Sequence, residues 1–207
     1  MNPYLSASTN PDPDNNAEKS KCSGLLAVDA GLRLGMAYFE EPGHVVWCRS
    51  HHLGSRHALR NAIGSILAGL PQAGRLVVEG GGPLVELWTG EAQRRGWAVL
   101  VVAAERWRAD LLVPRDRSDA RRAKAAALAR AREMLRNSPR AANPTHLRHD
   151  AAEAVLLGHW AWNHADLFIN PSRRETLPNV APPPKPTARR RMPRRGHDEG
   201  PAGLKCD

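Results

Sequence analysis

The sequence predicts an α/β domain: a mixed sheet with helices on both faces. Three observations carry that expectation. Short apolar runs near the start are joined by turn-sized connections, as antiparallel hairpins require. Further apolar runs then alternate with segments of helical period. The later connections are long enough for crossovers between parallel strands.

Taken in order, GLLAVDAG is a buried strand, GMAYFE a second, and HVVWC a third across a Glu-Pro-Gly turn. In SRHALRNAIGSILAGLP, Leu59, Ile63 and Leu67 recur at helical spacing, and Gly69 and Pro71 mark the end. RLVVEG is the fourth strand, PLVELWTGEAQRRG a helix stopped near Gly96, and WAVLVVAAE the fifth strand. DARRAKAAALARAREML is rich in strong helix formers and carries a basic face. NPTHLRHDAAEAVLLGHWAWNHADLF predicts the final helix, with Thr145 as N-cap and Gly158 tolerated inside. No internal repeat is evident.

The chain has 207 residues, a formal charge of +9 and a pI near 10.3. That length suits one principal domain with a sizeable core. The charge favours an anionic partner, with nucleic acid ahead of membrane or a small acidic substrate. Cys22, Cys48 and Cys206 are odd in number and widely separated, which argues against a disulfide framework or a structural zinc site. Together with the polar start and the absence of a long apolar run, they predict a cytoplasmic protein with no membrane span. Residues 1–21, rich in Asn, Asp, Pro and Ser, are expected to be a flexible leader. Residues 171–207, which include APPPKPTARRRMPRRG, are expected to be a flexible basic tail, leaving 22–170 as the folded domain.

Four carboxylates stand where these elements converge. Strand alternation puts Leu25, Ala27 and Asp29 on one face, so Asp29 emerges at a strand end facing a packed layer. Glu79 repeats that position at the end of LVVEGGG, and parallel pairing of the two strands brings both acids to one sheet edge. The glycines after Glu79 lack the spacing of a nucleotide-binding loop. Asp150 and Glu153 lie three residues apart on one helical face, near the positive helix end. Taken singly, Asp29 reads as a turn residue, Glu79 as a solvated or loop-bonded acid, and Asp150 or Glu153 as a helix-end charge. Together they supply hard oxygen donors suited to Mg2+ or Mn2+, and a pair of such ions fits in-line phosphoryl displacement.

In these motifs the chain resembles the RuvC-like branch of the RNase H-like nucleases, which includes Holliday-junction resolvases. LLAVDAGLRLGMAYF is similar to the first catalytic strand and its hairpin, RLVVEG to the strand carrying the second acid, and HDAAEAVLLG to the final catalytic helix. The resemblance spans about residues 23 to 166. It implies an RNase H-like fold, a divalent-metal endonuclease of branched DNA with four-way junctions foremost, and a homodimer. It also implies that Asp29, Glu79, Asp150 and Glu153 are the metal-binding acids. Glu153 departs from the commoner Asp of the bacterial resolvases while keeping a carboxylate.

Around the acids, His146, one turn before Asp150, is the fifth candidate catalytic residue, expected to orient water, assist proton transfer or touch the scissile phosphate. Arg117, Arg121, Arg122 and Lys124 are expected to contact DNA backbone, with a solvated helix face as the alternative. Five of the six tryptophans, Trp88, Trp97, Trp107, Trp160 and Trp162, read as core or interface residues. Trp107 is the exception: with Arg108 beside it in ERWR, it is expected to stack on an exposed base while the arginine anchors backbone. Arg189, Arg190, Arg191, Arg194 and Arg195 of the tail are expected to add nonspecific DNA affinity. Two other classes remain open. One is a catalytically silent DNA-binding or architectural protein on the same scaffold. The other follows from the likeness of LLAVDAG to the phosphate-handling strand of actin-like kinases, whose two lobes this chain is too short to form.

Overall fold

The computed structural model describes residues 24–40, 43–71, 74–138, 141 and 146–170. Thr145, the whole of the leader (1–21) and the whole of the tail (171–207) with its five arginines lie outside the described residues. Five strands, β1 (Leu25–Asp29), β2 (Arg33–Glu40), β3 (His44–His52), β4 (Arg75–Glu79) and β5 (Ala98–Val102), form one sheet in the order β3-β2-β1-β4-β5. β1, β2 and β3 pair antiparallel, whereas β1, β4 and β5 run parallel. The parallel pairings need crossovers, which α1 (Arg56–Ala68) and α2 (Pro83–Arg94) supply. The α/β mixed sheet read from the sequence is thus the architecture observed.

β1 is apolar at every position but its last because both its faces are covered. Leu26 and Val28 face a layer containing Leu59 and Ile63 of α1 and Trp88 of α2. Leu25 and Ala27 face the opposite layer of α3 (Ala104–Leu111), α5 (Ala120–Arg136) and α6 (His149–Asn163). α6 is the innermost helix, with every residue from Ala151 to Ala161 buried except half-buried His159. Against it α5 presents Ala127, Ala131 and Leu135, a mostly small-residue stripe that permits close helix contact.

Two glycines seat α6 on β2. A Cβ on Gly35 would collide with the Asp150 carbonyl, and one on Gly158 would collide with the Phe39 ring. Gly158 is therefore required by packing, beyond being tolerated in the helix.

Three boundaries differ from the sequence expectation. The fifth strand stops at Val102, and the ERWR stretch is helical. α3 buries Trp107 alone, so it carries no apolar repeat from which helical period could be read. The last helix begins at His149, later than expected, with Arg148 in extended conformation as its N-cap. Arg148 gives no side-chain cap; the Ala151 amide instead donates to Ser50 Oγ of β3 at 3.2 Å. The helix ends near His164, after which α7 (Asp166–Ile169) forms a separate turn following the short α4 (Pro114–Arg117) and α5 in chain order. Among the described residues, no helix is long and apolar enough to cross a membrane.

Candidate active site

Strand register fixes the first half of the site. Asp29 pairs with Glu79 across β1 and β4 and with Gly35 across β1 and β2; Gly35 in turn pairs with Ser50, and Glu79 with Val102. One transverse row therefore crosses the sheet as Val102, Glu79, Asp29, Gly35, Ser50. Directly opposed residues project to the same face, here the face that α6 covers. Glu79 and Asp29 supply the acids of this row. Gly35 leaves room for the helix, and Ser50 satisfies an amide of its first turn.

α6 supplies the second half. Asp150 stands in its first turn and Glu153 one turn along, so both carboxylates come down over the row. The consequence is written in the electrostatics of Asp29. Burial, then the neighbouring Glu79, Glu153 and Asp150, push its carboxyl up to about 7, against a smaller opposing effect of Arg108. The four acids anticipated from sequence are thus close enough for Asp29 to feel the other three.

Glu79 and Glu153 are 9% and 8% exposed, and neither is left bare. Trp107 Nε1 donates to Glu79 Oε2 at 2.6 Å. Arg108 Nη2 lies 2.6 Å from Glu153 Oε1 and 3.5 Å from Glu79 Oε1. Burial still holds the Glu79 carboxyl above its ordinary value, with Arg108 and the Trp107 bond opposing the shift.

This placement corrects the role read for the ERWR stretch. Trp107 is fully buried and has no open face for a base to stack on; it packs in the core and donates to Glu79. Arg108 points into the acid cluster, where it bridges acids from β4 and α6, and so is not the free backbone anchor expected beside an exposed aromatic. The indole and guanidinium roles were missed because a helix of eight residues with one apolar contact gives no facing direction in the sequence. Gly35 and Ser50 were missed because their partners lie more than one hundred residues away.

The remaining candidates are dispersed. His146 is exposed in a turn before α6, outside the helix, so helical spacing does not place it over Asp150. Arg117, Arg121, Arg122 and Lys124 are exposed. Arg121 and Lys124 line a shallow groove of about 420 Å³ with His149 of α6. Trp88, Trp97 and Trp160 are buried, as expected of core residues.

Carboxylates are the donor type that suits a hard divalent cation, and burial, then repulsion from Glu79, Glu153 and Asp150, drives Asp29 toward its neutral form. Among the described residues, no three Asp, Glu, His or Cys side chains gather their donors around one point. In this arrangement Arg108 is the cation shared by Glu79 and Glu153.

No family model and no curated protein matches the sequence. Solved structures do. A Thermus thermophilus RuvC structure aligns with TM-score 0.52 at 14% identity, covering 70% of this chain and 96% of that one. A T. thermophilus RuvC in complex with a Holliday junction substrate aligns with TM-score 0.49 at 13% identity, covering 70% and 95%. The chain therefore has a RuvC-like, RNase H-like fold.

Proposed function

We propose that this chain is a divalent-metal-dependent endonuclease that cuts branched DNA and resolves Holliday junctions by paired incisions. The observation that carries the reading is the row bearing Glu79 and Asp29 with the first turns of α6, bearing Asp150 and Glu153, laid over it. Four acids delivered by two strands and one helix, in a RuvC-like fold, favour phosphodiester chemistry over separate turn and capping roles. The choice of a four-way junction rests on the sequence resemblance.

Asp29, Glu79, Asp150 and Glu153 would hold Mg2+, or Mn2+. Bound there, divalent cations supply charge stabilisation to the attacking and leaving oxygens of an in-line displacement. The chain's own contribution is placement. Asp29 and Glu79 are fixed by register, and the Trp107 N–H fixes one oxygen of Glu79. Arg108 keeps Glu79 and Glu153 in mutual reach despite their like charge. Away from this centre, Arg117, Arg121, Arg122 and Lys124 are proposed as DNA-backbone contacts, His146 as a DNA-contacting group and a further candidate for proton transfer, and the five tail arginines as added nonspecific affinity. A homodimer would present two such centres to the opposed strands of a two-fold substrate. The compartment is the cytoplasm.

The test is cleavage of four-way, forked, flap, linear duplex and single-stranded DNA with Mg2+ or Mn2+. Paired incisions in the four-way substrate, abolished in Asp29→Asn and Asp150→Asn while binding persists, are expected. Cleavage that survives both substitutions would remove the site assignment. Equal degradation of every substrate would remove the resolvase reading, and binding without cleavage under either metal would leave a DNA-binding scaffold.

A further inference from the structure

A second cationic feature adjoins the acids. On the α6-facing side of β2 and β3, the row of Gly35 and Ser50 is followed two residues outward by Arg33 and His52, themselves register partners. Two residues along a strand is about 7 Å. There the sheet projects beyond the first turn of α6, and a cavity of about 270 Å³ opens between hairpin and helix. Its walls are Arg33, Ser50, His51 and His52 on one side and Arg148 and Asp150 on the other.

The charge of this cleft is uneven. Arg33 and Arg148 are exposed, and neither is in an ion pair among the described residues. Arg108, by contrast, is spent on Glu79 and Glu153. The negative wall is Asp150, which belongs to the acid cluster. The cleft therefore grades from carboxylate at its inner end to two guanidiniums and the His52 imidazole at its outer end. Such a gradient suits a polyanion whose reacting phosphate sits at the acids and whose neighbouring phosphate lies outward.

We propose that Arg33 and Arg148, with His52, form a clamp for a DNA backbone phosphate flanking the one at the acid cluster. The inference rests on the nuclease reading and deepens it by naming where the cut strand is held. A guanidinium offers paired N–H donors to phosphate oxygens, and the His52 imidazole adds at least one N–H donor. The separation of about 7 Å along the strand is of the order of the spacing between neighbouring phosphates on one DNA strand, so one continuous strand can reach both places. Contacts of this kind fix register on the backbone without reading bases. The clamp should therefore act on any sequence.

The full chain is tested for binding to a four-way junction and to a linear duplex by fluorescence anisotropy, in calcium, across a salt series. Arg33→Ala/Arg148→Ala is compared with Arg60→Ala/Arg94→Ala, which removes the same charge from exposed positions on α1 and α2. The expected result for the cleft variant is at least severalfold weaker binding to both DNAs and a fall of about two in the slope of log affinity against log salt, with the control near the parent. Equal effects of the two double variants, or none from the cleft variant, would overturn the clamp while leaving the nuclease reading intact. A parent chain that binds neither DNA would overturn both.

Discussion

Asp29 and Glu79 are register partners on adjacent parallel strands, and both face the first turns of α6. Backbone hydrogen bonding holds these carboxylates side by side, at a cost that their own side chains cannot relieve. The cost is visible in the Asp29 carboxyl, pushed up to about 7 first by burial and then by its acidic neighbours.

That shift makes stability depend on pH. The folded value of about 7 lies above the ordinary 3.8, so folding favours the protonated form. The stabilisation is complete below about pH 3.8 and is lost as pH rises through about 7, where a buried charge must be carried. Asp29→Asn mimics the neutral acid. In chelator at pH 8 it is expected to be more stable than the parent by up to a few kcal/mol, with the gain shrinking at pH 5. Urea unfolding at both values is the measurement; a variant no more stable at pH 8 would refute the crowding of charge at Asp29.

Arg108 offsets the same crowding. Arg108→Ala leaves Glu79 and Glu153 without their shared cation, and is expected to lower metal-free stability by about 1–3 kcal/mol, discounted for the partial exposure of the arginine. Magnesium should recover part of that loss if these acids bind it. A melting temperature indifferent to both substitution and magnesium would show that the bridge carries no weight.

Trp107→Phe keeps most of the buried ring volume and removes the N–H that Glu79 accepts at 2.6 Å. An unsatisfied buried acceptor costs about 1–3 kcal/mol. Cleavage should fall further than stability predicts, because one oxygen of Glu79 loses its orientation. Chemical denaturation paired with cleavage rates separates the two effects; wild-type rates in a folded variant would deny Trp107 a positioning role.

Gly35 and Gly158 test the seating of α6 at its two ends. Alanine at Gly35 meets the Asp150 backbone, while alanine at Gly158 meets the Phe39 ring. Overpacking of this kind costs about 1–3 kcal/mol, so both variants should melt early. Cleavage by whatever remains folded should drop mainly in Gly35→Ala, where the displaced helix end carries Asp150. Equal residual activity in the two variants would show that the helix N-terminus tolerates movement.

The sequence by itself determined the succession of the five strands, the crossovers between the parallel ones and the placing of four acids at element ends. Strand alternation and helical spacing are local rules, and Asp29, Glu79, Asp150 and Glu153 each obey one of them. Tertiary structure decided what those rules do not reach. Trp107 and Arg108 look like a surface recognition pair in a polar stretch, yet α3 packs so that the indole is buried against Glu79 and the guanidinium enters the acid cluster. The start of α6 was decided by Ser50, which lies 101 residues from the amide it accepts from, and the closeness of that helix by Gly35. Both act through contacts whose energy depends on distance in space, and nothing in the spacing of nearby residues encodes that distance.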